Sequence, residues 1–255
     1  MSNVGEGRLR EALAAASRRM WERGWVANHD GNASARMSRG RILCTPTGVS
    51  KADITADGLL VLDESGKVLS GKGRPFSELS LHLAFFHARP DVEVVLHSHA
   101  PTATGFGVAG RELGRPPLPE AIVSLGADVP TVPAALPGND AVQALAPYVD
   151  DHDALLLAGN GVLTVGADVE QAYLRMELVE HLCRIVLVAE QAGGVKGVPD
   201  AFVAPLLAAR TKAGLGAGAR GRVEPGVVER VKAQRAPDLE RVVREEITRV
   251  LRGRD

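Results

Sequence analysis

Residues 92–99 read Val-Glu-Val-Val-Leu-His-Ser-His, a short apolar run that ends in two histidines two positions apart. Because alternate residues of a strand point to the same face, a strand here directs the imidazoles of His97 and His99 to one point at its end. Imidazole is a preferred ligand of zinc and related ions, so the pair is a candidate metal site. The same pair also suits two histidines that bond only to nearby backbone, and the neighbouring segments decide between the two interpretations.

A helix is predicted immediately before this strand, from about Ser77 to Arg89, with Pro90 ending it. Ser77 is the predicted N-cap, and Glu78 falls in the first turn. A helix–strand hairpin brings the Glu78 carboxylate close to the histidine pair, where it could bind a cation or take a proton from a bound substrate. The helix dipole alone also favours an acidic residue in a first turn.

Three turn segments around the histidines have the chemistry of an anion pocket. They are Gly31-Asn32, Thr47-Gly48 and the helix start at Ser77. Glycine lets the backbone approach a ligand closely, hydroxyl and amide groups donate hydrogen bonds, and a helix N-terminus offers free N–H groups. Together with the histidine pair, these turns predict a small phosphorylated or carboxylated substrate.

The rest of the chain mixes short strands with helices. Helices are predicted at about residues 6–23 and 168–191, and strands near 34–37, 41–44, 59–63, 67–69, 154–157 and 162–165. The regular alternation of a Rossmann domain is missing, so we predict a three-layer α/β/α domain around a mostly antiparallel central sheet. This domain is expected over residues 1–211, followed by a Gly/Arg-rich linker at 212–226 and an amphipathic helical tail at 227–255.

Composition excludes several classes of partner. With 30 basic and 31 acidic side chains, the formal net charge is −1, and no basic surface for nucleic acid is expected. No apolar stretch is long enough for a membrane span, and charged residues interrupt residues 1–20, so no signal-peptide core is expected. Cys44 and Cys183 lie far apart and outside any Cys-x-x-Cys motif, which predicts neither disulfides nor a thiolate zinc site and favours a cytoplasmic setting.

Taken in order, these segments resemble the class II aldolase/adducin family over roughly residues 6–195. The matching segments are Gly31-Asn32-Ala33-Ser34, Thr45-Pro46-Thr47-Gly48, Ser77-Glu78 with His82, and His97-Ser98-His99, and residues 155–166 resemble the segment that usually supplies a third histidine ligand. The resemblance implies a divalent metal held by His97, His99 and Glu78, with zinc as the first choice and Mn²⁺, Co²⁺ or Fe²⁺ as others. It also implies that Glu78 is a general acid/base, while the anion site is lined by Asn32, Thr47, Gly48 and Ser77.

The resemblance further implies a metal-dependent aldolase, a lyase that cleaves or forms a carbon–carbon bond in a small hydroxylated carbonyl compound. The substrate would be a sugar phosphate or a hydroxy-keto acid, reacting through a metal-stabilised enediolate. Decarboxylases, sugar-phosphate 4-epimerases and dehydratases of the same fold are alternatives, and a non-catalytic, adducin-like binding or assembly module is an alternative of another class. A homotetramer with active sites at subunit boundaries is the implied assembly.

Two residues depart from the family pattern. Residues 159–161 read Gly-Asn-Gly where the family usually has Asn-His-Gly, so Asn160 replaces the third histidine. An amide oxygen is a poorer zinc ligand than imidazole. His181, on the helix predicted at 168–191, is the other candidate to complete the metal shell. Phe76 stands where phosphate-binding relatives tend to have serine, which favours a substrate with a carboxylate or a bulkier apolar part.

Overall fold

The structure is a computed structural model that describes residues 3–216. Within this range, helices pack on both faces of one eight-stranded sheet. The helices are α1 (Asn3–Glu22), α2 (Leu79–Ala88), α3 (Pro101–Val108), α4 (Pro119–Leu125), α5 (Asn139–Leu145), α6 (Val169–Gln191) and α7 (Asp200–Lys212), with a 3-10 turn at Lys51–Asp53. The strands are β1 (Asn32–Met37), β2 (Arg41–Cys44), β3 (Leu60–Asp63), β4 (Val68–Ser70), β5 (Val94–Ser98), β6 (Thr131–Val132), β7 (Ala154–Leu157) and β8 (Gly161–Gly166).

The strands lie in the order β4-β3-β2-β1-β5-β8-β7-β6. Each neighbouring pair is antiparallel except β6 and β7, which are parallel. Strand β5 therefore lies near the middle of the sheet, with His97 opposite Asn32 of β1 on one side and Leu163 of β8 on the other. The mostly antiparallel sheet confirms the predicted fold class.

Two apolar cores lie on opposite faces of the sheet. Val94 and Leu96 of β5 join the core that contains α1, α3 and α6, whereas Val95 joins the core that contains α2 and α5. This follows from the alternation of side chains along a strand. His97 continues the face of Val95, so the strand directs it toward the α2 side of the sheet. Alternate residues of β5 thus contact the helix layers on the two faces of the sheet, which gives the three-layer arrangement.

The predicted N-cap of α2 is wrong by one residue. Glu78, not Ser77, is the N-cap, and the helix begins at Leu79. A turn precedes the helix, since the Leu79 N–H donates to the carbonyl of Phe76 at 3.3 Å. Neither residue caps the helix with its side chain, because the Glu78 carboxylate binds groups of the site instead. By contrast, the carboxylate of Asp168 caps α6 as predicted, accepting from the Gln171 N–H at 2.8 Å.

The sequence patterns did not predict β6 or the helices α3, α4, α5 and α7. The three shorter helices have seven or eight residues, and α3 contains Gly105 and Gly107, which weaken any local helix signal. Helix α7 carries Pro205 within it. These helices form because tertiary packing holds them, as between α4 and α7, rather than because of local propensity.

A buried ionic cluster holds α7 to the rest of the fold. The side chain of Asp153, at the start of β7, is 1% exposed and lies 2.6 Å from Arg89 after α2, 2.9 Å from Arg175 of α6 and 2.5 Å from Arg210 of α7. Burial alone raises the pKa of Asp153, but the three guanidinium groups outweigh it and lower the pKa. The cluster therefore ties three helices to one strand end through a single carboxylate.

The remaining sequence predictions have mixed outcomes. No helix among residues 3–216 combines the length and apolar character that crossing a membrane requires. Cys44 and Cys183 are buried and free. Helix α7 ends at Lys212, where the predicted linker begins. The linker beyond residue 216 and the predicted tail at 227–255 lie outside the described residues, so the proposed domain boundaries stay predictions.

Candidate active site

A cavity of about 460 Å³ opens at the end of the sheet where β1 begins and β5 ends. Its wall contains most of the residues predicted for the site, namely Asn32, Thr47, Ser77, Glu78, His99 and Asn160. His97 is 1% exposed and contacts Glu78 from inside the fold. Gly48 does not line the cavity. Five separate segments of sequence therefore meet at one pocket.

The carboxylate of Glu78 is the centre of the site. Its Oε2 accepts from Nδ2 of Asn32 at 2.9 Å, and its Oε1 accepts from the side-chain amide of Asn160. The same Oε2 lies 3.3 Å from Nε2 of His97. Burial alone raises the pKa of Glu78, but the positive charge that His97 carries when protonated and the hydrogen bonds from Asn160 and Asn32 lower it. Glu78 is therefore held in its ionised form, ready to accept a proton.

The imidazole of His97 has one nitrogen bound and one without a hydrogen bond. Nδ1 lies 3.0 Å from the carbonyl oxygen of Val162, which can only accept, so the proton is on Nδ1. Nε2 is buried and has no hydrogen-bond partner among the described residues. Burial lowers the pKa of His97 and favours the neutral ring, which leaves the Nε2 lone pair facing the carboxylate of Glu78. Two electron-rich atoms at this distance repel unless a proton or a metal cation lies between them.

His99 follows β5 directly, one residue beyond the strand end. Its ring centre lies 5.1 Å from that of His97, so the predicted convergence of the two imidazoles is present even though His99 is outside the strand. Nδ1 of His99 lies 3.0 Å from Oδ2 of Asp30. Both histidines thus have Nδ1 beside an oxygen of the protein, the arrangement usual for metal-binding histidines.

Glycine at position 161 allows this close packing. A Cβ at Gly161 would lie 2.2 Å from the carbonyl oxygen of Ser98 and 2.9 Å from Cδ2 of His99, and the residue has φ +86°. Any other side chain would displace the strand end that carries the histidines. Gly161 is therefore required for the position of His99.

The donors of this site fit a divalent metal in kind, being two imidazoles and one carboxylate. The unpartnered Nε2 of His97 beside Glu78 is the observation that supports the fit. Among residues 3–216, the side chains of His, Cys, Asp and Glu do not form any group of three or more that is arranged to hold a metal ion. A third histidine would complete such a group, but Asn160 occupies that position and donates its amide to Glu78.

His181, the other candidate for the missing ligand, is exposed on α6 and does not line the cavity. Helix α6 packs in the core opposite to α2, whereas Glu78 lies at the start of α2. His181 is therefore on the wrong face of the sheet to contact His97.

His82 of α2 lies beneath the site. It is fully buried, its Nδ1 lies 2.7 Å from the hydroxyl of Ser34, and burial holds its pKa well below the usual value. The ring of Phe76, which lines the cavity, lies 4.9 Å from that of His82. His82 is thus a neutral packed histidine that supports the wall formed by Phe76.

The cavity is polar on one side and apolar on the other. Thr47 follows β2, on the side where Asn32 and Ser77 also lie. Across the histidines, toward β7 and β6, the wall is apolar and consists of Val132, Pro133, Ala134, Ala135, Pro137, Ala141, Leu145 and Leu157. This apolar side was not predicted from the sequence, because it depends on β6 and α5, which have no strong local pattern.

Asp30 was also missed, although it lies directly before the Gly31-Asn32 turn that the sequence singled out. A carboxylate beside a motif glycine was the available signal. Lys51, buried near Asp30, gave no signal in the sequence because most lysines are exposed.

Comparison with known proteins identifies the family to which this chain is similar. A family model described as Class II Aldolase and Adducin N-terminal domain matches residues 11–187. A 3-oxo-tetronate 4-phosphate decarboxylase of Escherichia coli K12 is 29% identical over 188 residues, covering 72% of this chain and 88% of the relative. An L-fuculose phosphate aldolase of Methanococcus maripaludis is 29% identical over 171 residues, covering 66% of this chain and 90% of the relative. The crystal structure of YgbL from Klebsiella pneumoniae has a TM-score of 0.73 at 28% identity, covering 79% of this chain and 98% of that one.

Proposed function

The chain belongs to the class II aldolase and adducin family, and we propose that it is a metal-dependent aldolase acting on a small hydroxylated carbonyl compound. The observation that carries the proposal is the carboxylate of Glu78, which lies in the cavity wall with Oε2 3.3 Å from the unpartnered Nε2 of His97. A purely structural carboxylate is expected to pair with a cationic side chain, as Asp153 does. Glu78 instead accepts from two neutral amides and faces the cavity.

Each residue has a defined task in this proposal. His97 and His99 would hold a divalent metal, with zinc as the first choice, which would supply Lewis-acid chemistry to a substrate oxygen. Glu78 takes a proton from the substrate and returns it as a general acid/base. Asn32 and Asn160 keep its carboxylate oriented through their amide N–H groups.

The polar side of the cavity is proposed to hold the anionic end of the substrate. Thr47 and Ser77 offer hydroxyl groups there, and neither Arg nor Lys lines the cavity among the described residues. Phosphate or carboxylate would therefore be bound by hydrogen bonds. Phe76 and the apolar side toward β6 favour a substrate with an apolar part beyond its reacting carbons. A sugar phosphate or a hydroxy-keto acid meets these requirements.

Decarboxylation is the second candidate reaction, because a 3-oxo acid loses its carboxylate through a similar enolate and a relative at 29% identity carries that name. An adducin-like module without metal chemistry is disfavoured by the retention of Glu78, His97 and His99 around one cavity. A homotetramer and a cytoplasmic location complete the proposal and rest on the family resemblance and on the free cysteines.

The first test is the metal content of the purified protein. We expect about one divalent ion per chain after incubation with zinc, manganese or cobalt, measured by elemental analysis after desalting. The double variant His97→Ala/His99→Ala should retain little, because both imidazole donors are gone. Equally low content in the two proteins would contradict the metal-dependent enzyme. A screen of sugar phosphates and hydroxy-keto acids with the loaded protein then separates aldol cleavage from decarboxylation by the products.

Asn160→His tests whether the turn between β7 and β8 faces the metal. The Asn160 amide already contacts the carboxylate of Glu78, so a histidine at this position would add a third imidazole ligand beside His97 and His99. We expect zinc to bind at least about tenfold more tightly, the scale on which changes around metal ligands act. Competition with a fluorescent chelator measures it, with exposed Asn139→His as the matched control. An unchanged affinity would show that residue 160 does not face the ion.

A further inference from the structure

The orientation of His99 depends on a contact outside the proposed metal site. His99 is about one-third exposed and lies past the end of β5, so no strand hydrogen bonds fix it as they fix His97. Its Nδ1 lies 3.0 Å from Oδ2 of Asp30. A neutral imidazole carries one proton on either nitrogen, and a carboxylate beside Nδ1 favours the form with the proton there. The Nε2 lone pair of that form is free to bind a cation.

Asp30 is itself held in a tight turn. Its N–H donates to the carbonyl of Ala27 at 3.0 Å, and its Oδ1 accepts from the N–H of the same residue. The two carboxylate oxygens are therefore divided between two tasks, with Oδ1 closing the turn and Oδ2 facing His99. The carboxylate of Asp30 is therefore held in place more firmly than the carboxylate of an exposed aspartate without such hydrogen bonds.

The buried side chain of Lys51 stabilises the same turn through hydrogen bonds to backbone carbonyls. It is 2% exposed, and its ammonium group donates to the carbonyls of His29 at 3.2 Å and Val49 at 2.9 Å. Burial lowers the pKa of Lys51, and the negative charge of Asp30 opposes this shift. Burying an ammonium group is costly, so the fold gains from it only where several oxygens need a common donor. Here the donor joins the turn before β1 to the segment after β2.

We propose that Asp30 is a positioning residue that orients His99 for metal binding, and that Lys51 holds Asp30 in place. The inference rests on the proposed function, because it assigns these two residues to the service of the metal site. The chain Lys51–turn–Asp30–His99 would take part of the role that a third histidine has elsewhere in the family. These contacts would stabilise the orientation of His99 as a metal ligand, whereas a third histidine would add a further ligand.

The proton position on His99 is tested first, in the metal-free protein. Long-range ¹H–¹⁵N spectra distinguish the two neutral forms of histidine, and His99→Gln assigns the signal. We expect wild type to show the Nδ1-protonated form and Asp30→Ala to show a mixture. Asp30→Asn should largely keep the wild-type signal, because an amide oxygen still accepts. A signal unaffected by Asp30→Ala would overturn the proposal, whether or not the protein binds metal.

Metal affinity is tested second, by chelator competition with zinc. Asp30→Ala should weaken binding by about 10- to 100-fold, the usual effect of removing a group that orients a histidine ligand. Asp57→Ala, an exposed aspartate away from the cavity, should bind zinc as wild type does. Unchanged affinity in Asp30→Ala would refute the positioning role. If wild type binds no zinc, the proposed function fails, while the spectra still decide the orientation of His99.

Lys51→Met removes the buried ammonium group and keeps the length of the side chain. We expect the spectrum of His99 to shift toward the mixture seen with Asp30→Ala and the zinc affinity to fall by a smaller factor. A wild-type spectrum in folded Lys51→Met would remove Lys51 from the proposal. If this variant does not fold, the Asp30 variants alone decide the role of Asp30, whose side chain is 29% exposed.

Discussion

Replacing Glu78 with glutamine is expected to lower turnover by about a hundredfold or more, the scale of losing a positioned acid/base. The variant keeps the size of the side chain and should keep the fold. It cannot take a proton, and its amide can no longer accept from both Asn32 and Asn160, so one of these two loses its partner. Turnover is measured on the substrate that the screen identifies, with zinc loaded to the same level as in wild type.

The matched control for this variant is Glu112→Gln, which changes an exposed glutamate outside the cavity and should leave turnover unchanged. Melting temperature and zinc content are measured on both proteins. Loss of zinc in Glu78→Gln would show that Glu78 is chiefly a ligand. Wild-type turnover with zinc retained would exclude Glu78 from the mechanism.

The largest expected effect on stability is that of Asp153→Asn. The change is nearly isosteric, but it leaves Arg89, Arg175 and Arg210 buried around a neutral amide. Breaking a buried ion pair by removing one partner costs about 3–5 kcal/mol. Domains are usually stable by only about 5–15 kcal/mol, so much of the free energy of unfolding would be lost. Urea denaturation at pH 7 measures the difference.

The pH dependence of this difference follows from the lowered pKa of Asp153. A carboxyl with a lower pKa in the folded state stabilises the fold above its unfolded pKa, about 3.9 for aspartate. That contribution is lost as the pH falls through the folded pKa. The difference in the free energy of unfolding between wild type and Asp153→Asn should therefore be largest at pH 7 and should shrink below about pH 4.

Asp91→Asn is the contrasting variant, because it removes a more exposed carboxylate from the same guanidinium group. The Asp91 side chain is 36% exposed and lies 2.8 Å from Arg89. The Asp91 carboxylate is open to water, which screens its charge, so its loss should cost less than that of Asp153, about 1 kcal/mol. Equal losses in Asp91→Asn and Asp153→Asn would show that burial does not determine the cost.

The sequence predicted the central part of the fold because β5 and its neighbours carry strong local patterns. An apolar run before His97 is typical of a buried strand, and the proline after Arg89 marks the end of α2. The contact of Glu78 with His97 followed from the hairpin of α2 and β5, since Glu78 lies at the start of the helix and His97 near the end of the strand that returns beside it. Local sequence patterns were sufficient to predict a contact where the two functional residues lie on consecutive helices or strands.

Contacts between distant segments could not be predicted in this way. Asp153 and Arg210 are separated by 57 positions, and both residue types normally lie at the surface. The apolar side of the cavity required β6 and α5, whose short segments have no strong period. The error at Ser77 has a similar origin, because serine is the better N-cap by local preference. The side chain of Glu78 takes its position from Asn32 of β1 and from Asn160 in the turn between β7 and β8, both distant in sequence.

The two outer strands of the sheet restrict how copies of this chain can associate. β4 has three residues and β6 has two, and Pro133, directly after β6, has no N–H to donate. Each border of the described sheet therefore offers few peptide groups to an incoming strand. A second copy would gain little by extending the sheet, so the sheet is a poor template for fibre growth. Ordered association must instead use side chains on the helical faces and loops, where single substitutions can adjust it.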